Sequence, residues 1–269
     1  MPKLEIKNLH VKVADKLILN GVDLTINDGE VVALLGPNGH GKSTLLNAIM
    51  GNPNYTVTEG TVHFDGQDVL AMSVDQRSRA GLFLGMQSPS EVPGVVNADF
   101  IRAAINARSE KPIPPIKLFR LIEKASKEMA MPLDLSNRNL NEGFSGGEKK
   151  RNEILQMKLL QPSFAMLDEI DSGLDVDGIK IIADQINKET KSDRAFLIIS
   201  HYARLYDLIN PTRAIVMING QVVVDGDVSV IQKIDNQGYE WLAHEKGIKI
   251  DKKQTKVTSL GTCAIKESI

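Results

Sequence analysis

The sequence has one cysteine, Cys263, one tryptophan, and few aromatic side chains of any kind (4%) in 269 residues. A lone cysteine excludes an intrachain disulfide, and it excludes a four-thiolate zinc or iron–sulfur site built by this chain alone. Neither sign of charge is in excess: 32 lysines and arginines against 34 aspartates and glutamates leave a formal net charge of −2. No global field draws in phosphate backbones or anionic lipid, so nucleic acid is not an expected partner. No run approaches the roughly 18 consecutive apolar residues of a membrane span. The start, residues 1–13, enters apolar/polar alternation without the basic, apolar and small-residue regions of a signal peptide. A cytoplasmic protein with no direct membrane insertion is expected, any membrane part belonging to another chain. No repeat of about 20–50 residues is visible, so each motif below occurs once.

What is present is 42% hydrophobic residues, sufficient for one large core. Alternating runs at 4–13, 22–26 and 61–64, broken by Asn27-Asp28-Gly29 and Asp65-Gly66, predict antiparallel strands. Continuous apolar runs at 31–35, 164–167, 195–199 and 214–218 predict parallel strands covered on both faces. From Asn97 to Leu160 the strand signal fades, and helical spacing at 100–107 and 118–131 flanks the proline-rich stretch 111–115, a surface loop or a docking loop. The expectation is an α/β fold: one domain over 1–247, with a helical subdomain inserted at about 88–160, and a disordered polar tail over 248–269.

Gly36-Pro37-Asn38-Gly39-His40-Gly41-Lys42-Ser43 fits G-x-x-x-x-G-K-[ST] between a buried run and a helix-like one beginning at Thr44. Backbone N–H groups of such a loop turn inward on phosphates, the lysine reaches the β- and γ-phosphates, and the Ser43 hydroxyl can ligate Mg²⁺. The run 164–167 delivers two adjacent carboxylates, Asp168 and Glu169, at a strand's C-terminal end, where open α/β sheets bind ligands. Asp168 would orient Mg²⁺ through water and Glu169 would polarise the attacking water. Phe144-Ser145-Gly146-Gly147-Glu148 opens another helix-like stretch, whose Ser145 hydroxyl and glycine amides would form a second anion-binding N-terminus.

In this order the motifs resemble the ATP-binding cassette family, from about Leu4 to Leu242. The resemblance implies a P-loop NTPase with a RecA-like core, an antiparallel β flank and an inserted helical subdomain. It implies ATP and Mg²⁺ as ligands and ATP hydrolysis that is slow in an isolated monomer. Gly36, Asn38, Gly39, Gly41, Lys42, Ser43 and Thr44 would hold the nucleotide, and Ser145, Gly146, Gly147 and Asp175 would close on it from a second copy in an ATP-dependent head-to-tail dimer. Gln87 matches the Q-loop glutamine that senses Mg²⁺, Ser172-Gly173-Leu174-Asp175 the D-loop, and His201 the switch histidine at the γ-phosphate. Catalysis would fall to Glu169, His201 and Gln87, and the metal to Ser43, Gln87 and Asp168.

Two departures stand out. Val13 occupies the place where many cassettes stack an aromatic ring on adenine, with no tyrosine or phenylalanine nearby in sequence, which predicts weak base discrimination. Glu148 replaces the usual glutamine and is followed by Lys149-Lys150-Arg151, either a solvated helix face or a source of a cation, Lys150, that pairs with Glu169 in an idle monomer. Longer strings narrow the resemblance to the cassette ATPases of Suf iron–sulfur cluster assembly: 87–95 as QSPSEVPGV, 144–157 as FSGGEKKRNEILQM, 167–175 as LDEIDSGLD, then Ser200-His201-Tyr202 and 238–242 as GYEWL. That implies SufB and SufD as scaffold partners, remodelled by closure of two cassette copies. The segment 87–95, stiffened by Pro89 and Pro93, is a plain rigid loop or the carrier of that motion. The alternative is the ATPase subunit of a membrane transporter.

Overall fold

A computed structural model describes residues 3–247. The tail 248–269, with Cys263, lies outside them. Alternation, interrupted by a register shift between Ile6 and Leu9, makes β1 (Leu4–Val13) and β2 (Lys16–Ile26) an antiparallel hairpin whose Leu4, Ile6, Leu9 and Val11 are buried. All five residues of β3 (Val31–Leu35) are buried, because this strand lies inside a second sheet with both faces covered. Along it Val31, Ala33 and Leu35 face one apolar cluster while Val32 and Leu34 face the other. The chain passes through the loop at 36–41 into α1 (Lys42–Met50), then returns to the flank as β4 (Tyr55–Phe64) and β5 (Gln67–Asp68). The flank is a four-stranded antiparallel sheet in the order β2-β1-β4-β5. Ser73 and Gln76 form a capping box on α2 (Val74–Ala80), which feeds β6 (Leu82–Gly85).

The next stretch is mostly helical: β7 (Val92–Val96), α3 (Asn97–Ala107), α4 (Pro115–Glu128), β8 (Asn139–Leu140) and α5 (Gly146–Leu160). Two expectations are corrected here. Helix α4 begins at Pro115 rather than at 118, since a proline at the first helical position loses no intrahelical bond and its φ is already helical. The small pair β7–β8 was not foreseen; β7 is exposed along most of its length, and carries a proline and a glycine, so it gives no buried alternation to read.

The core is completed by β9 (Phe164–Asp168), α6 (Val176–Glu189), β10 (Ala195–Ile199), α7 (Ala203–Ile209), β11 (Arg213–Ile218), β12 (Gln221–Gly226), α8 (Ser229–Gln237) and α9 (Glu240–Lys246). Its six-stranded sheet has the order β12-β11-β3-β10-β9-β6, parallel except for the hairpin strand β12 at one edge. Strand β3 therefore sits between two strands made much later in the chain, and the C-terminal ends of β3, β9 and β10 open side by side. Among the described residues no helix is long and apolar enough to cross a membrane.

Candidate functional site

The loop after β3 folds around positions only glycine can fill. Gly36 has φ +150°, and a Cβ there would lie 2.2 Å from the Met217 carbonyl oxygen of β11. Gly41 caps α1 at φ +104°, against the side chain of Leu19. The loop is held from behind: Gly36 N–H donates to Tyr239 Oη at 2.9 Å, and His40 Nδ1 accepts the Asn219 N–H at 2.9 Å. Lys42 Nζ curls across it, donating to the Gly36 and Pro37 carbonyls at 2.6 and 3.0 Å. Burial lowers the Lys42 ammonium from its ordinary range, against the pull of Glu169 and Asp168.

Ser43, in the first turn of α1, donates its hydroxyl to Asp168 Oδ1 at 3.1 Å. Asp168 ends β9, 2% exposed, and its carboxyl is raised by burial, with the charge of Glu169 adding to the shift. Glu169 follows in the left-handed region at φ +49°, a conformation costly for a side chain of this size. Its Oε2 accepts the Gln87 amide at 2.7 Å and its Oε1 lies 2.9 Å from His201 Nε2, which fixes that nitrogen as the donor. Burial pushes the Glu169 carboxyl up, but the bonds from Gln87 and His201 and the charge of Lys42 outweigh it, leaving the group lowered.

A cleft of about 340 Å³ is lined by Asn38, Gly39, Gly41, Lys42, Ser43, Gln87, Glu169 and His201. Gly36 supports it from beneath and Thr44 follows, half-buried, in the first turn of α1. Ser145, Gly146, Gly147 and Asp175 do not line it. Ser145 caps α5, accepting the Glu148 N–H at 3.3 Å while the Glu148 carboxylate accepts the Ser145 N–H at 2.7 Å. Asp175 caps α6 through the Gly178 N–H at 2.8 Å. Ser145, Gly146 and Asp175 are exposed, so the second anion-binding turn faces outward.

Two readings of the sequence are corrected at this site. Lys150 is neither on a solvated face nor paired with Glu169: it is 3% exposed, and its Nζ donates to backbone carbonyls of Met86 and Asp168. An α5 packed against the sheet turns this position inward, which a string of three cations does not reveal. Lys149 bonds Glu91 instead. The absence of an aromatic near Val13 holds in sequence but not in space, because the β1–β4 register sets Tyr55 opposite Val13. Tyr55 lines a separate cleft with Gly51, Pro53 and Arg77. Sequence reading also missed Tyr239, whose link to Gly36 depends on the packing of α8 and α9; the only signal was the string containing it.

A phosphate loop, Glu169, and a glutamine and a histidine that both reach its carboxylate now stand within one cleft, with the buried Asp168 bonded to Ser43 at its wall. The family described as ABC transporter matches residues 19–172. The chain belongs to that family. As an ABC ATPase it shares 51% identity with the Bacillus subtilis "Vegetative protein 296", over 91% of this chain and 95% of that protein. It shares 44% with the Escherichia coli "Probable ATP-dependent transporter SufC", over 90% of this chain and 100% of that one. A Streptococcus pyogenes "Probable ABC transporter ATP-binding protein" is 50% identical, with 92% and 98% covered. Among solved structures, a dimeric ATP-binding cassette bound to ADP and phosphate matches with a TM-score of 0.73 at 20% identity, covering 84% of this chain and 98% of that chain. A nucleotide-free cassette from an ABC transporter matches at 0.70 and 23%, covering 93% and 100%. The fold is that of the ABC-cassette P-loop NTPases, and this ABC ATPase hydrolyses ATP.

Proposed function

We propose that this ABC ATPase powers iron–sulfur cluster assembly, two copies closing head to tail on ATP and remodelling a SufB–SufD scaffold. The observation that carries the two-copy part is the split site: the cleft holds the phosphate loop, Gln87, Glu169 and His201, while Ser145, Gly146 and Asp175 face outward on the same chain. One copy thus presents the turn that another copy's cleft lacks. The likeness to SufC along that protein's whole length supports the choice of machinery.

In the reaction, the loop amides and Lys42 would hold the phosphates; Ser43 and Gln87 would supply oxygen ligands for Mg²⁺, and Asp168 would orient it through water. When bound, the ion neutralises charge on the β- and γ-phosphates. Ser43 and Asp168 already converge, the hydroxyl donating to the carboxylate at 3.1 Å. Glu169, kept ionised by the bonds it accepts, orients the attacking water; His201 contacts the γ-phosphate. In the structure described here Glu169 holds both Gln87 and His201. Gln87 is bonded through its amide nitrogen, which leaves its oxygen for the metal, whereas His201 Nε2 would exchange its bond to Glu169 for one to phosphate, which fits an idle single copy.

Purification of the tagged protein from its native cells without detergent, followed by identification of the co-purifying chains and an ATPase assay, tests the reading. Two scaffold proteins with raised turnover are expected. The printed names of the streptococcal relatives favour a second reading, the ATPase subunit of a membrane transporter; recovery only from detergent-solubilised membranes with a multi-span partner would establish that one instead. Glu169→Gln should keep ATP binding, stall hydrolysis and accumulate a closed dimer on size exclusion, whereas Lys42→Ala should weaken nucleotide binding itself. Wild-type turnover in Glu169→Gln would remove Glu169 from its assigned role.

A further inference from the structure

Lys150 and Glu153 lie one turn apart on α5, are 3% and 6% exposed, and have no part in the chemistry above. Between them they engage both polar groups of one residue: Met86 N–H donates to Glu153 Oε1 at 2.7 Å, and the Met86 carbonyl accepts from Lys150 Nζ at 2.5 Å. The same Nζ reaches the Asp168 carbonyl at 3.2 Å. Met86 immediately precedes Gln87, and Asp168 immediately precedes Glu169. One helix, whose first turn is the Ser145–Gly147 anion site, is therefore bonded to the peptide before each of two groups that face the attacking water. Two more bonds tie the segment after Gln87 to this side: Lys149 to Glu91 at 2.7 Å, and Asn141 Nδ2 to the Ser90 carbonyl at 2.9 Å.

The two charges are poorly matched to each other. Glu153 Oε2 is buried without a hydrogen-bond partner and stands 3.9 Å from Lys150 Nζ. Buried charges with incomplete bonding are costly, and apolar residues of similar volume often replace them with no loss of stability. We propose that Lys150 and Glu153 are positioning residues that couple the signature turn of α5 to Gln87 and Glu169. Displacement of α5, when its first turn meets ATP held by a second copy, then pulls on the backbone of both groups at once. The coupling is mechanical: Lys150 and Glu153 reach from α5 to main-chain groups of Met86 and Asp168, so a shift of the helix bears on the backbone before Gln87 and Glu169.

The double variant Lys150→Met/Glu153→Leu tests this, because it fills the same space without the bonds. Three quantities are read on the full chain: kcat at saturating ATP, the Kd of a fluorescent ATP analogue, and the melting temperature. The expected result is a folded protein with a lower melting temperature, since the Met86 amide and carbonyl lose their partners, a Kd within about threefold of wild type, and a kcat lower by about tenfold, equivalent to about 1.4 kcal/mol. A folded double variant with wild-type kcat overturns the proposal, since a purely structural pair would give that outcome. Glu153→Gln and Glu153→Ala are compared as well, and decide the matter should the double variant not fold. Glutamine keeps an acceptor for the Met86 N–H and should hold kcat within about threefold, while alanine leaves that amide unpaired and should lose about tenfold. Equal turnover in these two variants would also overturn the proposal. The proposal rests on the two-copy reading above; none of these measurements involves a scaffold partner, so the result is independent of the SufB–SufD reading.

Discussion

Gly36 N–H, the first amide of the phosphate loop, finds its partner 203 residues away in Tyr239 Oη. Tyr239→Phe keeps the ring and removes the acceptor, leaving that amide unpaired at a cost of about 1–3 kcal/mol. Weaker ATP-analogue binding with little change in far-UV circular dichroism is the expected result. Glu153 gives a prediction in pH. Burial pushes its carboxyl up to about 7 from an ordinary 4.5, with the charge of Asp168 adding and the Met86 amide and Lys150 opposing. Between those values the folded protein keeps a proton that the unfolded chain has released, so this group's contribution to stability falls as pH rises from about 4.5 to about 7 and is level above. Urea titrations across that range should show wild type losing stability relative to Glu153→Gln; parallel curves would show that Glu153 does not titrate there. The candidate residues themselves were legible because their chemistry demands particular side chains at short spacings. Their bonds were not: nothing in Lys149-Lys150-Arg151 says which cation turns inward, since that depends on the rotation of α5 against β6 and β9.

At the scale of elements, strands with alternation or unbroken apolar runs could be read directly, as β1, despite its break after Ile6, and β3 show. Strand β6 could not, because its four residues are buried only at the ends and it borrows its pairing from β9. Helix α4 starts three residues before its apolar spacing becomes visible, since the leading proline serves the helix start as well as it would a loop. A bend in the flank hides in one glycine. Gly60 has φ +95°, and a Cβ there would lie 2.3 Å from the Asn8 carbonyl oxygen, where the β1–β4 register shifts between Lys7 and His10. Gly60→Ala should lower stability by about 1–3 kcal/mol by thermal or urea unfolding, through strain and a displaced strand, while the folded fraction keeps its ATP affinity. A variant as stable as wild type would mean that β1 and β4 can slide apart at no cost.

Across the whole molecule, the signature turn and the phosphate loop belong to the same chain but not to the same cleft. Turnover per chain should therefore rise with protein concentration in the dilute range, and a flat dependence in the absence of partners would contradict the two-copy reading. The strand order carries a different consequence, for how such a protein is made. The strand that bears the phosphate loop is enclosed by β10 and β11, and both are translated long after it. At about 5–20 residues per second, a nascent chain holds Val31–Leu35 uncovered for on the order of ten seconds before either neighbour leaves the ribosome. The five apolar residues of that strand therefore stay within a chaperone's reach long after the earlier flank strands can pair with each other.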